Sequence, residues 1–425
     1  MSLLRDRLNR LTKSAADRPS AKSETRSEPG WDSLGARLQE GRQGSFILRR
    51  QSYPLSYIHG RYQLQELCDT CTYLQPLLRA SIKDPRQILF LDTETTGLGV
   101  GAGNVPFMVG LGYYNENQFV VEQMLIRNPG EEVAMLTYLT GLLPNFDCLA
   151  TYNGRTFDWP ILKNRMILNR VPLENDRFSE LDFLYPSRSL WRTTLPSCRL
   201  SKVEESRLGF IRHDDVPGSL APTLYFQYLA EQNPAILQGV FKHNEQDILS
   251  LVGLAIHFAR ALCGSLDLSH MEASELFRLG VWLDQHQLAH LASQAYEQIL
   301  RLPSTSGGSV RFQLSLVLKK KGRLHEAVQL WKETVDAETG MKLSADYIEA
   351  CVELSKYYEH KHKDFGTALY YAEKAIGKAG ERASLLRAPR RSVVSQDLRK
   401  RMERLREKEI RRAMQEWRSN SSGLI

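Results

Sequence analysis

Apolar and polar positions change period several times along the chain. Residues 1 to about 43 are mostly polar, as in "SAADRPSAKSETRSEPG", and only "LLRDRLNRL" has a helical period. This stretch predicts a mobile arm. "GSFILRRQSYPLSYIHG" alternates and turns like a pair of short strands, and "YQLQELCDTCTYLQPLL" reads as a helix. From Gln87 the pattern becomes α/β. "ILFLDTE" is a continuous apolar run, as in a central strand, and "FMVGLGYYN" and "QFVVEQMLI" form a meander around a polar turn. "EEVAMLTYLTGLL" predicts a helix and "DCLATYNG" a strand. "TFDWPILKNRMILN" predicts an amphipathic helix with Thr156 placed to cap it, and a long helix spans about Pro234 to Cys263.

After Ser265 the pattern is helical and repeats. Leu279-Gly280, Ala292, Tyr296 and Pro303 in one unit correspond to Leu314-Ser315, Ala327 and Trp331 in the next, and Ala368, Ala372 and Ala375 mark a looser third. Small residues let paired helices approach and large ones fill the next gap, which resembles tetratricopeptide repeats. In the tail, Leu398, Met402, Leu405, Met414 and Trp417 form one stripe behind a candidate cap, Ser395. A long helix that closes the repeat stack, or a binding helix, fits that stripe. The expected domains are thus the arm to residue 43, an α/β domain over 44–265, repeats over 266–380 and a basic helix and tail over 381–425.

Composition narrows this little: 425 residues, 42% hydrophobic and 25% charged, suit a globular protein of more than one domain. Without eighteen consecutive apolar residues no membrane partner is expected, and a charged N-terminal segment makes the cytoplasm the expected compartment. The net charge of +7 is concentrated: Glu381 to Arg418 holds thirteen Lys or Arg against six Asp or Glu. A basic extension suits a polyanion, and also a solvated helix. Cys68 and Cys71 in "CDTC" read either as a metal or redox pair or as two thiols on one helix face.

The chemistry sits in the acids. Asp92 and Glu94 end an apolar strand two residues apart, so both side chains share a face. Their repulsion calls for a cation, and hard oxygen donors select magnesium or manganese. Asp158 opens the helix that follows "ATYNG", where an acid also answers the helix dipole. His243 and Asp247 are four apart on a helix, and Asp247 enters an apolar stretch with no evident Lys or Arg partner, which again favours a metal. Asp182 in "ELDFLYP" reads as a strand end and ranks below Asp158. "GLGVGAGN", residues 97–104, is like a phosphate loop in composition only, and reads as a flexible loop at the mouth of the site.

"DTETTG", "YNGRTFDWP" and "HNEQD", in this order, resemble the three motifs of DEDD-superfamily exonucleases. The likeness extends over about residues 45–263 to the bacterial YprB-like family of the mitomycin-repair-factor-B type, which also carries C-terminal tetratricopeptide-like repeats. The resemblance implies a ribonuclease-H-like α/β domain followed by an all-α repeat domain. It implies a 3′→5′ exonuclease acting on DNA, with a helicase as protein partner. Asp92, Glu94, Asp158 and Asp247 would hold two divalent ions, Mg2+ or Mn2+, and His243 would be the base. Thr95, Thr96 and Gly97 would face the terminal nucleotide, and Tyr152, Asn153 and Arg155 the next. One departure stands out: His243 lies four residues before Asp247 rather than five, the offset of the tyrosine subgroup, which leaves base and hydrogen-bonding roles both open. An exoribonuclease and a catalytically silent repeat scaffold are the alternatives.

Overall fold

The computed structural model describes residues 30–78, 81–97, 103–174, 178–303, 308–337, 345–385 and 391–421. Most of the expected N-terminal arm (1–29) and residues 98–102 of the glycine-rich loop lie outside them. The chain divides into two compact units, Met1–Asp267 and Leu268–Ile425.

In the first unit the strands are β1 (Ala36–Gly41), β2 (Gly44–Pro54), β3 (Ile58–His59), β4 (Tyr62–Gln63), β5 (Ile88–Thr95), β6 (Pro106–Asn115), β7 (Gln118–Leu125), β8 (Cys148–Thr151) and β9 (Ser179–Asp182). The helices are α1 (Glu66–Thr70), α2 (Glu132–Leu142), α3 (Asp158–Leu168), α4 (Leu184–Trp191), α5 (Leu200–Val203), α6 (Ala221–Glu231) and α7 (Gln238–Cys263). Among the described residues the main sheet runs β1-β2-β7-β6-β5-β8-β9. The pairs from β1 to β5 are antiparallel, and β5-β8 and β8-β9 are parallel. The predicted meander is β6-β7, with β5 antiparallel beside β6, and its turn needs only Glu116 and Asn117, with Glu116 at φ 49°.

Three local expectations are corrected. Residues 36–41, expected within the arm, pair with β2 as an edge strand. "YQLQELCDTCTYLQPLL" opens on β4 and makes, as helix, only the short α1 and a 3-10 turn, Cys71–Leu77, which contains Pro76. Thr156 does not cap α3; its hydroxyl turns back to Asn153, and the helix begins at Asp158.

Helix α7 lies on the sheet because β6 makes room for it. Gly110 and Gly112 share a face, and a Cβ on Gly110 would sit 2.2 Å from Asn244 Oδ1, one on Gly112 2.4 Å from Ile248 Cγ2. Asn244 and Ile248 are four apart on α7, so two bare strand positions receive two successive helix side chains. By length and hydropathy this helix could cross a membrane, but 78% of its most apolar stretch is buried inside the unit. Leu89, Leu91, Phe107, Val109, Leu111 and Met135 belong to the core this unit buries.

The second unit is all helical in its described residues: α8 (Ala273–Gln285), α9 (Ala289–Arg301), α10 (Gly308–Lys320), α11 (Leu324–Asp336), α12 (Ala345–Tyr357), α13 (Phe365–Leu385) and α14 (Arg391–Ser421). Small-to-large packing is visible at Gly280, where a Cβ would lie 2.3 Å from Tyr296 Cε1. Ala292, Ser315 and Ala327 are fully buried. Ser395 lies inside α14 rather than before it. Leu405 of α14 packs on Ala368 and Ala372, whereas Met414 and Trp417 are exposed. The basic run is partly neutralised within the unit, since Arg401, Arg404 and Lys408 converge on the buried Glu359.

Candidate active site

Strand β5 delivers Asp92 and Glu94 at its carboxyl end, the edge where parallel strands present their ends. β8 pairs with β5 only from Ile88↔Cys148 to Phe90↔Ala150. Beyond that register the amide of Thr93 has no strand partner, and Asp158 takes its place. Asp158 Oδ1 accepts from Thr93 N at 3.1 Å and from the Thr93 hydroxyl. The first residue of α3 is thereby fixed beside β5, with one carboxylate oxygen committed.

From α7, Asn244 Nδ2 donates to Asp92 Oδ2 at 2.9 Å. Its amide is oriented by Gln123, whose Nε2 donates to Asn244 Oδ1 at 2.9 Å and to the Phe241 carbonyl at 2.7 Å. Arg49 donates in turn to Gln123 Oε1 at 2.6 Å. This relay reaches Asp92 from three strands away, by way of Asn244 on α7.

Asp247 has the cationic partner that its local sequence lacks, so a metal is not needed to balance its charge as expected. Arg212, from the loop before α6, donates to Asp247 Oδ1. The same guanidinium holds Glu204 through two bonds, of 2.8 and 2.5 Å, and lies 3.3 Å from Asp215 Oδ2. Burial works against its charge, and Glu204 and Asp247 outweigh that, so Arg212 is held above its ordinary value.

His243 stands between two acids. Its Nδ1 is 2.8 Å from Asp215 Oδ1 and its Nε2 is 3.6 Å from Asp247 Oδ2. The same Nδ1 lies 3.1 Å from Arg212 Nη1, so an acceptor and a donor both meet that edge of the ring, while Nε2 faces Asp247. A Cβ on Gly218 would come within 3.1 Å of that Nε2.

The acids sense one another. Burial, then the charges of Asp247, Asp158 and Glu94, push Asp92 well above the usual carboxylate range, against the pull of Asn244. Burial and the charges of Asp247 and Asp158 do the same to Glu94, with Arg212 opposing. Burial pushes Asp158 up to about 6, against the bonds from Thr93.

The profile of the RNase H superfamily matches residues 89–259. The chain is 37% identical over 364 residues to the uncharacterized protein YprB of Bacillus subtilis (strain 168), which covers 82% of this chain and 84% of that protein. The chain belongs to the YprB family, with a domain of the RNase H superfamily. Membership brings a nuclease of the kind that generally works with divalent metal ions on nucleic acid.

The donor set of this YprB-family chain fits such ions at Asp92 and Glu94, hard carboxylates whose mutual repulsion a cation relieves. Among the described residues no three His, Cys, Asp or Glu side chains enclose a metal position, and the Arg212 contact occupies one oxygen of Asp247. The remaining sequence candidates divide. Thr95 and Thr96 are buried, with their hydroxyls turned to the Gly97 carbonyl and the Val105 amide, so they shape the loop. Gly97 has no room for a side chain against Asn104. The Tyr152 hydroxyl donates to the Cys198 carbonyl at 2.6 Å. Asn153, at φ 68°, and Arg155 give their amides to Asp182, which closes the β9 strand end. Arg155 also pairs with Glu180 at 3.3 Å. Cys68 and Cys71 are free thiols, and burial pushes Cys71 up to about 11.

Sequence reading missed Glu204, Arg212, Asp215 and Asn244. Asp215 belongs to no motif of its own, and Asn244 lies inside the "HNEQD" motif without a chemistry of its own until Gly110 and Gln123 are placed beside it.

Proposed function

We propose that this protein is a metal-dependent 3′→5′ exonuclease that hydrolyses DNA phosphodiesters. The observation that carries the reading is the convergence of Asp92, Glu94 and Asp158 on the end of β5, opposite a histidine held by Asp215. When bound, two divalent ions would supply Lewis-acid stabilisation of charge on the phosphate, held by Asp92, Glu94, Asp158 and Asp247. His243 Nε2 takes the proton of the attacking water, and Asp215 stabilises the imidazolium that results. Asn244 keeps Asp92 aimed at the site. For Asp247 to use both oxygens, its contact with Arg212 gives way while Glu204 retains the guanidinium.

A protein-binding role for the helical unit belongs to the same proposal: tetratricopeptide-like helix pairs would present partner surfaces, and a DNA helicase that exposes a strand would suit a trimming enzyme. The test is a nuclease assay on 3′- and 5′-labelled single-stranded and duplex DNA and matched RNA, with magnesium, manganese or EDTA. Metal-dependent shortening from the 3′ end of DNA, lost in Asp92→Ala, is expected. Preference for RNA would turn the reading to an exoribonuclease, and inactivity with or without a helicase would turn it to a silent scaffold.

A further inference from the structure

A cleft of about 770 Å³ opens beside the end of β8, lined among others by Tyr152, Asn153, Arg188, Arg192, Cys198 and Arg199. We infer that this cleft is the track along which single-stranded nucleic acid runs to the carboxylates, an inference that rests on the nuclease reading above.

Three arginines border the cleft, and all three are exposed. Among the described residues none of them pairs with a carboxylate, unlike Arg155 next door, which is held by Glu180. Unpaired guanidinium groups around a concavity attract a polyanion, and their fork matches phosphate oxygens. The fold sets their spacing. Arg188 lies in α4 and Arg192 one turn on, while Arg199 immediately precedes α5. The bond from the Tyr152 hydroxyl to the Cys198 carbonyl ties the segment before Arg199 to the strand end, so that part of the lining is fixed. From Asn153, also in the lining, a short turn leads to Asp158, which connects the basic groups to the acid site along the chain itself.

A single strand is favoured over a phosphate-bearing small molecule by Tyr185. It precedes Arg188 by three residues and Arg192 by seven, so all three share one helix face. Its ring is 44% exposed and carries the Arg155 guanidinium 5.9 Å from its centroid. An exposed ring beside a row of free arginines is the pairing that binds unstacked bases and their backbone together.

The test uses the full chain carrying Asp92→Asn, to stop turnover, with EDTA and a 5′-fluorescein dT12 probe. Anisotropy is followed against sodium chloride concentration. Replacing Arg188, Arg192 and Arg199 by Gln together is expected to reduce the slope of log K against log salt by about 2, at about 0.7 for each phosphate of a single strand that the protein no longer neutralises. The Lys triple variant is expected to keep the slope, and Tyr185→Ala to weaken binding about tenfold with the slope unchanged. Matched thermal melts identify variants that remain folded, and the Lys triple serves as the folded reference if the Gln triple melts early. A slope unchanged by the Gln triple overturns the track while leaving the nuclease reading intact. Failure of the Asp92→Asn protein to bind the probe at all overturns both. If the Gln triple loses binding to fluorescein-labelled polyglutamate but not to dT12, the cleft belongs to an acidic protein segment and the proposal is wrong.

Discussion

Asp215 Oδ1 lies 2.8 Å from Nδ1 of His243, while Asp247 Oδ2 faces the other ring nitrogen at 3.6 Å. Arg212 Nη1 lies 3.1 Å from the same Nδ1, so an acid and a guanidinium hold that edge of the ring while Nε2 faces the acid cluster. Asp215→Asn keeps the shape and removes the charge that stabilises the imidazolium. Its kcat is expected to fall by about 10- to 100-fold, a share of what general base catalysis contributes. Steady-state rates of hydrolysis, compared with thermal melts that should not change, measure the loss.

Arg212 holds the buried Glu204 as well as Asp247. Arg212→Met leaves the Glu204 carboxylate without its cation, and a broken buried pair costs about 3–5 kcal/mol. Urea denaturation should show that loss. Adding Glu204→Gln should restore part of it, because a neutral amide tolerates burial better than an unpaired charge. Equal stability of the single and double variants would show that the pair is not what Arg212 contributes.

Gly110 is the bare position under Asn244. Gly110→Ala forces a methyl group into the amide that holds Asp92, at an expected cost of about 1–3 kcal/mol. Asn244→Ala makes room, so the double variant should be less destabilised than the sum of the two changes. A double-mutant cycle by chemical denaturation reads the coupling directly, and strict additivity would contradict the close approach.

Asp158 gives the pH dependence its sign. Its folded value, about 6, is above the ordinary carboxylate value, so its favourable contribution is complete below about pH 4. That contribution is lost as the pH rises through about 6. Asp92 and Glu94, also raised, act in the same direction. In EDTA the wild type should therefore lose stability between pH 4 and 7 relative to Asp158→Asn, by on the order of 2–3 kcal/mol for this one group. Magnesium or manganese should raise the melting temperature more at pH 7.5 than at pH 5, since only ionised acids bind a cation well. Melting curves at the two pH values, with and without metal, measure both.

The sequence alone determined what can be encoded locally. Asp92 and Glu94 follow from an apolar strand ending in two acids, Asp158 from the strand-turn-helix that places it first in α3, and the change of period near Ser265 from the switch to an all-helical unit. The same local signals overextended the helix around Pro76 and hid the edge strand at 36–41, whose pairing depends on β2 rather than on its own polar residues. The tertiary structure decided who meets whom. Arg212, 35 residues before Asp247, is its counter-charge, and Gln123, 121 residues before Asn244, orients the amide on Asp92. Side chains so far apart in sequence leave no shared period. They come together only because Gly110 and Gly112 let α7 settle on the sheet, and that fit depends on the space left between two elements.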